Sequence, residues 1–242
     1  MSSVRTPLGD SHNFGRHVAL RGDRVAKPRT LTWEWLTLSK DSPLRRLLDE
    51  AATRDGLAPA FFDFVPQLKF YPPGVSARDG GEVERVVLEP LAQPLSVADR
   101  RELATIVGRS LALWSWLGVS DLHWENLVLG IDAGAGRAPR MVFGPLDVEM
   151  ILADLSWPTE TKLLPDADPE VADICRHACG VRRVLPYLGK PVQAGDLLAM
   201  VGEYHRTLVF LDRHASEIAL VFGALPSLQD IPIRVCLRGT EE

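Results

Sequence analysis

No run of apolar residues in this chain approaches the length of a membrane span, and no segment repeats or degenerates into low complexity. Basic charge is also scarce: 27 Lys and Arg stand against 32 Asp and Glu, a net charge of −5. That balance offers no positive field for nucleic acid and no attraction to an anionic membrane surface. There are only three cysteines, Cys175, Cys179 and Cys236. An odd number without a preceding secretory signal argues against a disulfide framework, and a reducing cytoplasm is the expected compartment. Cys175 and Cys179 are one helical turn apart, but His177 points away from their shared face, so no zinc is expected. The hydrophobic share, 46%, is enough for a proper core, and 24% charged residues is ordinary for a globular protein. A chain of 242 residues is one large domain or two small lobes.

The first nine residues read as a flexible tail. Asn13 to Ala26 alternates apolar positions at Val18, Leu20 and Val25, which predicts a hairpin turning at Arg21-Gly22-Asp23. Ser42-Pro43 predicts a helix start, with Leu44, Leu47 and Leu48 inside it and Gly56 ending it. Phe61 to Pro73 reads as aromatic and extended, and Val83 to Leu88 as a strand. Pro90 to Pro94 loosens the chain where two lobes would join. Ser96 predicts a second helix, stopped by Gly118, with Leu103, Val107 and Leu111 at helical spacing. Two strands follow, Leu127 to Ile131 and Arg140 to Phe143. Asp168-Pro169 starts a helix that ends at Gly180. Gly195-Asp196 starts a longer one carrying Leu198, Val201, Leu208 and Leu211, and Ile231 to Leu237 closes the chain as a strand. The fold class expected is α+β: a compact two-lobed kinase-like fold. Its strand-rich N-terminal lobe covers 10–94 and its mainly helical, catalytic-type lobe 95–242.

The chemistry concentrates in Gly118 to Val128 and in Leu146-Asp147-Val148-Glu149. Asp121 and Asn126 stand five residues apart, as in a kinase catalytic loop, and Asp147 follows at a strand end. Mg²⁺ takes oxygen donors, so Asn126 and Asp147 are the candidate metal ligands. Asp121 is placed to accept or orient a hydroxyl proton. Lys27, on the return strand of the first hairpin, is the candidate phosphate contact. His123 lies between Asp121 and Asn126, where it would orient the loop or touch a phosphate. Trp124 in the same loop is a candidate substrate contact. Glu149 shares a face with Asp147 if the segment is extended, as a second metal ligand or an acid–base group.

These blocks resemble, in order, those of the dehydratase domain of class II lanthipeptide synthetases. Asp10-Ser11-His12-Asn13-Phe14-Gly15 resembles the family's D-x-H-x-x-G entry to the small lobe, and Lys27-Pro28-Arg29-Thr30-Leu31 its K-P-R-S-L block. Leu117 to Leu127 is similar to its L-G-x-x-D-L-H-x-E-N-[IL] loop, and Asp147-Val148-Glu149 to its D-L-E motif. Arg234-Val235-Cys236-Leu237-Arg238-Gly239-Thr240 resembles its R-x-x-x-R-x-T segment.

The resemblance implies a lipid-kinase-like fold that uses ATP and Mg²⁺ to phosphorylate Ser and Thr of a ribosomally made precursor peptide and then eliminates the phosphate. It implies Lys27 at the nucleotide phosphates, with Glu34 and Glu50 the candidates to buttress that lysine, and Arg234 and Thr240 in elimination, where a cationic Arg would stabilise the departing phosphate. Asp121, His123 and Glu149, read above from their positions, complete the candidate catalytic set. The family's proteins are far longer, with an upstream region and a downstream zinc cyclase, so no ring formation is expected. Gly130 to Pro139 is a Gly/Ala-rich insertion expected to loosen the link between Asn126 and Asp147.

A second reading is an inactive, truncated relative that holds the precursor peptide for other enzymes of its pathway, by strand addition for example. A third, a small-molecule phosphotransferase, shares the Asp/Asn/Asp logic but not the Asp-Leu-His order or the Arg234/Thr240 pair. A stripped core also fits a homodimer or hetero-complex whose partner covers apolar surface.

Overall fold

The computed structural model describes residues 6–12, 16–58, 60–73, 80–134, 138–148, 151–152, 158–165, 179–189 and 191–225. Their fold is mixed α+β. A five-stranded antiparallel sheet forms from β1 (Thr6–His12), β2 (Arg16–Arg21), β3 (Arg24–Lys27), β4 (Phe70–Tyr71) and β5 (Gly81–Glu84), in the order β1-β2-β3-β5-β4. The β2–β3 hairpin turns at Gly22 and Asp23. Gly22 takes φ +63°, the left-handed conformation that such a tight turn needs. The expected strand from Val83 is shifted toward the N-terminus, because its pairing with β3 runs from Gly81 to Glu84.

Helix α1 (Thr32–Leu38) leaves the sheet directly after β3, and α2 (Pro43–Arg54) follows it. Ser42 caps α2. Its hydroxyl accepts the Arg45 amide at 3.0 Å and donates to the Leu36 carbonyl at 2.6 Å, which locks the corner between the two helices. Gly56 at φ +67° stops α2. The aromatic segment differs from the extended chain that its composition suggested. Residues 60–65 form turns that push Phe61, Phe62, Phe64 and Val65 into the core. Phe62 meets Phe210 at 5.5 Å between ring centroids, so this segment packs on the C-terminal helices rather than lying along the sheet.

Helix α3 (Val97–Trp116) is the spine of the molecule. Ser96 caps it by accepting the Asp99 amide at 3.1 Å, and Leu103, Ala104, Val107, Ala112 and Trp114 are wholly buried along it. The hairpin β6 (Leu127–Asp132) and β7 (Arg140–Pro145) packs against α3. Beyond it come a 3₁₀ turn (Gly180–Arg183), α4 (Leu185–Leu188), α5 (Ala194–Arg213) and α6 (Ala215–Gly223). The predicted helix starting at Asp168-Pro169, and the closing strand at Ile231 to Leu237, lie outside the described residues. No helix among the described residues is long and apolar enough to cross a membrane.

Helix α5 turns only part of the expected apolar stripe inward. Leu211 is buried, but Leu198 is 72% exposed and Val201 46%. The face turned inward carries Asp196, Glu203 and Thr207 along its first part, and Phe210 and Leu211 at its end. The reason lies on α3, which presents Arg100 to Asp196 at 2.5 Å and Arg109 to Glu203 at 2.8 Å. Arg109 also stacks over the Phe61 ring at 4.0 Å. The helices touch most closely at Gly108, where an added Cβ would come within 2.1 Å of the Met200 carbonyl oxygen.

Gly108→Ala is therefore expected to lower unfolding stability by about 1–3 kcal/mol through overpacking at this crossing. Gly202→Ala, with nothing within 4 Å of the new methyl, should raise it by about 0.5–1 kcal/mol. Urea titration of both variants checks the pair. A Gly108→Ala protein as stable as the parent would show that α3 and α5 do not meet as described.

Candidate functional site

Three segments meet at the site. The first is the loop leaving α3. Gly118, at φ +58°, ends the helix, and Val119 and Leu122 are wholly buried on either side of the exposed Asp121. That anchoring holds Asp121 at φ +61°, a conformation that aspartate tolerates better than most residues but rarely adopts. The Leu122 amide donates to the Thr161 carbonyl at 2.9 Å, which ties the loop to the 158–165 segment. From that segment Lys162 reaches Asp121 Oδ1 at 2.7 Å. The Asn126 amide nitrogen donates to the Asp121 carbonyl at 2.9 Å and to its Oδ2 at 3.3 Å. Asn126 is part-exposed, and no described residue donates to its carboxamide oxygen. His123 Nε2 stands 3.8 Å from Asp121 Oδ2, while its Nδ1 accepts the Glu125 amide at 3.3 Å.

The second segment is the far end of the β6–β7 hairpin. Its six-pair register, Leu127 opposite Pro145 through Asp132 opposite Arg140, is unbroken. The Leu146 amide extends it by donating to the Asn126 carbonyl at 3.0 Å. Asp147 is thus one residue beyond the position paired with Asn126. The Gly/Ala-rich stretch was expected to loosen this link. It does not, because its first residues continue β6 and Asp132 is held by Arg140 at 2.7 Å across the hairpin.

The third segment is the end of β3 with α1. Lys27 Nζ donates to Glu34 Oε1 at 2.7 Å and to the Leu146 carbonyl at 2.9 Å, and stands 3.7 Å from Asp147 Oδ1. Arg29 bridges the same Glu34 Oε1 and Asp147 Oδ1. The Val148 amide approaches Glu34 Oε1 at 3.4 Å. Glu34 is wholly buried, and its other oxygen, Oε2, has no hydrogen-bond partner among the described residues. Two cations and two carboxylates balance to zero charge here, which is what lets so many ionised groups sit out of water.

The structure thus brings Lys27 to Asp147 and pairs the Asn126 backbone with Leu146, the residue before Asp147, with Asp121 and His123 on the same loop as Asn126. It selects Glu34 over Glu50 as the partner of Lys27, since Glu50 is exposed on α2. Glu149, Arg234, Thr240, Cys175 and His177 lie outside the described residues, as do Asn13, Phe14 and Gly15 of the first block. Cys179 is buried, and its backbone bridges that of His123.

Two participants escaped the sequence reading. Arg29 follows Lys27 by two residues, the spacing of one face of an extended segment, and that was the available signal. Lys162 gave no local signal, because its contact with Asp121 spans 41 positions. Among the described residues no three His, Cys, Asp or Glu side chains form a cage for a metal. Mg²⁺ does not need one, because it is usually held by one or two protein oxygens together with phosphates and water. The part-exposed Asp147 carboxylate and the Asn126 carboxamide oxygen are donors of that kind.

On the other side of the loop, Trp124 is 37% exposed and lies beneath two guanidinium groups, those of Arg183 at 5.2 Å and Arg182 at 5.8 Å. Arg183 Nε donates to the Trp124 carbonyl. Burial lowers the Arg183 pKa below the ordinary guanidinium value, and the charge of Glu125 opposes this. Comparison with protein-family models, curated proteins and solved structures finds no match.

Removing the Glu34 charge should leave Lys27 and Arg29 inadequately compensated. Glu34→Gln is expected to lower stability by about 3–5 kcal/mol, the usual effect of breaking a buried ion pair. Glu50→Gln should change it by less than about 0.5 kcal/mol. Equal denaturation midpoints for the two variants would contradict the pairing.

Proposed function

We propose that this protein acts in the biosynthesis of a ribosomally made peptide natural product. In this reading a two-lobed, kinase-like core engages a precursor peptide, phosphorylates its Ser or Thr side chains with ATP and Mg²⁺, and then eliminates the phosphate. The observation that carries the reading is the Lys27–Glu34 ion pair within 3.7 Å of Asp147. A lysine fixed by a buried glutamate next to a metal-type aspartate is an arrangement that serves nucleoside triphosphate phosphates. The resemblance of the ordered sequence blocks adds the peptide substrate and the elimination step.

The roles follow from the donors and acceptors present. Lys27 and Arg29 supply cations to the phosphate oxygens. Asn126 and Asp147 would hold Mg²⁺, whose charge neutralises those oxygens when it is bound. Asp121 accepts or orients the proton of the attacking hydroxyl, with Lys162 and Asn126 fixing its carboxylate. His123 braces the loop. Glu149 takes the acid–base or metal role read from its position two residues after Asp147, and Arg234 and Thr240 the phosphate-elimination roles implied by resemblance. A reducing cytoplasm suits the cysteine content, and the other pathway enzymes are the expected neighbours.

One observation favours a second reading, a catalytically inactive scaffold that binds the precursor peptide. Arg29 already occupies Asp147 Oδ1, so nucleotide and metal must draw that guanidinium away onto phosphate before the carboxylate opens.

Calorimetric titration with ATP and Mg²⁺ separates the two. Micromolar binding that disappears without the metal is expected, with Asp147→Asn abolishing the metal-dependent part. Unchanged ATP affinity in that variant would remove Asp147 from the site, and the absence of any heat would leave the scaffold reading.

A further inference from the structure

Among the described residues, four other than glycine hold a positive φ: Ala60, Asp121, Leu152 and Lys162. Three of them gather where α3 gives way to the catalytic-type loop. The Leu152 amide donates to the Leu117 carbonyl at 2.7 Å, and Lys162 Nζ meets Asp121 Oδ1 at 2.7 Å. Gly118, at φ +58°, shows that this stretch takes glycine where a turn alone is needed. Asp121 at φ +61° and Lys162 at φ +66° instead keep side chains in a conformation that L-residues rarely adopt.

The ion pair between them does not account for that strain. Both side chains are 56% exposed, and a pair so open to water contributes less than two left-handed side chains cost. The surrounding backbone holds them there. Lys162 stands between Thr161 and Leu163, both wholly buried. The Thr161 carbonyl accepts the Leu122 amide at 2.9 Å, and the Lys162 carbonyl accepts the Gly180 amide at 2.9 Å. An added Cβ on Gly180 would come within 2.6 Å of the Leu122 carbonyl oxygen, so the loop, the 158–165 segment and the 3₁₀ turn meet backbone to backbone. This frame aims one cation at the carboxylate of the loop. Strain that the surroundings over-determine, on side chains open to a ligand, points to a functional contact.

We propose that Lys162 contacts the phosphoryl group in transit and bridges it to Asp121. This rests on the phosphotransfer reading above. In that reaction the substrate hydroxyl oxygen bonds to the terminal phosphorus. The bond from that phosphorus to the bridging oxygen breaks, its electron pair leaves on the nucleoside diphosphate, and the hydroxyl proton passes to Asp121. Charge is spread over the equatorial oxygens of the transferred group, next to the hydroxyl that Asp121 orients. A lysine ammonium has three protons, so one nitrogen can serve Asp121 Oδ1 and a phosphoryl oxygen together. Lys27 and Arg29 serve the nucleotide side of the group, and Lys162 serves the acceptor side. As Asp121 takes the proton its charge is lost, and the ammonium is left to the phosphate.

The test is calorimetric titration of the full chain with ADP and Mg²⁺, alone and with aluminium fluoride, which stands in for the phosphoryl group in transit. The parent protein should bind the fluoride-bearing ligand at least about tenfold more tightly than ADP. Lys162→Met should bind ADP as the parent does and lose about tenfold or more of the gain, with Lys162→Arg keeping part of it. Lys162→Gly relieves the left-handed strain as it removes the side chain, so it should lose the same gain while its urea midpoint holds or rises. A merely structural lysine would not separate stability from fluoride binding in this way, and Lys162→Gly carries the test if Lys162→Met fails to fold. The full gain retained in either variant overturns the proposal, as does an equal loss of ADP and of the fluoride-bearing ligand. A parent protein that binds ADP but gains nothing from fluoride overturns it too, and leaves nucleotide binding standing. No binding of either ligand by the parent ends the phosphotransfer reading itself, and this proposal with it.

Discussion

The buried carboxylate of Glu34 is the point on which the site depends. A wholly buried glutamate is tolerated only where cations and donors replace its water, and here Lys27 and Arg29 do so. In meeting that demand they pull together parts of the chain far apart in sequence. Lys27 is on β3, Glu34 on α1, and the Leu146 carbonyl and Asp147 carboxylate belong to the end of the β6–β7 hairpin, 119 and 120 positions after Lys27. One anion thereby links the sheet to the helical part of the molecule. The same neutral cluster sets its own response to ligands. A phosphate would compete with Glu34 and Asp147 for the two cations, and a divalent metal would compete with Arg29 for Asp147.

Helix α3 does the corresponding work for the other half of the site. Its C-terminus delivers the loop that carries Asp121, His123 and Asn126, and its buried face carries the common core, from Leu103 to Trp114. Arg100 and Arg109 on its flank hold α5 through carboxylates, and Gly108 lets the two backbones approach. Polar contacts where an apolar stripe would be expected leave Leu197, Leu198 and Val201 on the outside of α5. The site is therefore mounted on an element held by packing on one side and by ion pairs on the other.

How much of this was legible in the sequence depends on the range of the forces involved. Ser42-Pro43, Gly56, Ser96 and Gly118 act on their own neighbours, and the boundaries they predict for α2 and α3 agree with those observed to within a residue or two. The Gly22 turn and the β6–β7 strands were equally readable, because turn geometry and alternation are local. The Asp121–Asn126 spacing is local too, and the hydrogen bond between the two residues accords with it. What escaped was decided by distant partners. Leu198 and Val201 look like core positions until Arg100 and Arg109 claim the opposite face of α5. Phe61 and Phe62 look extended until Phe210 offers them a place to pack. Arg29 and Lys162 find their roles only once the hairpin and the 158–165 segment are folded against β3 and the loop.

Under the proposed function, Lys27 faces the phosphates of a bound nucleotide. An ATP derivative carrying an acyl phosphate at its terminal phosphate transfers the acyl group to whichever lysine amine lies beside that position, and peptide mass spectrometry then identifies the lysine. Lys27 should carry the label, with Lys162 as the second acceptor, and free ATP with Mg²⁺ should block both. Labelling spread over exposed lysines such as Lys69, unaffected by ATP and sparing Lys27, would contradict the account.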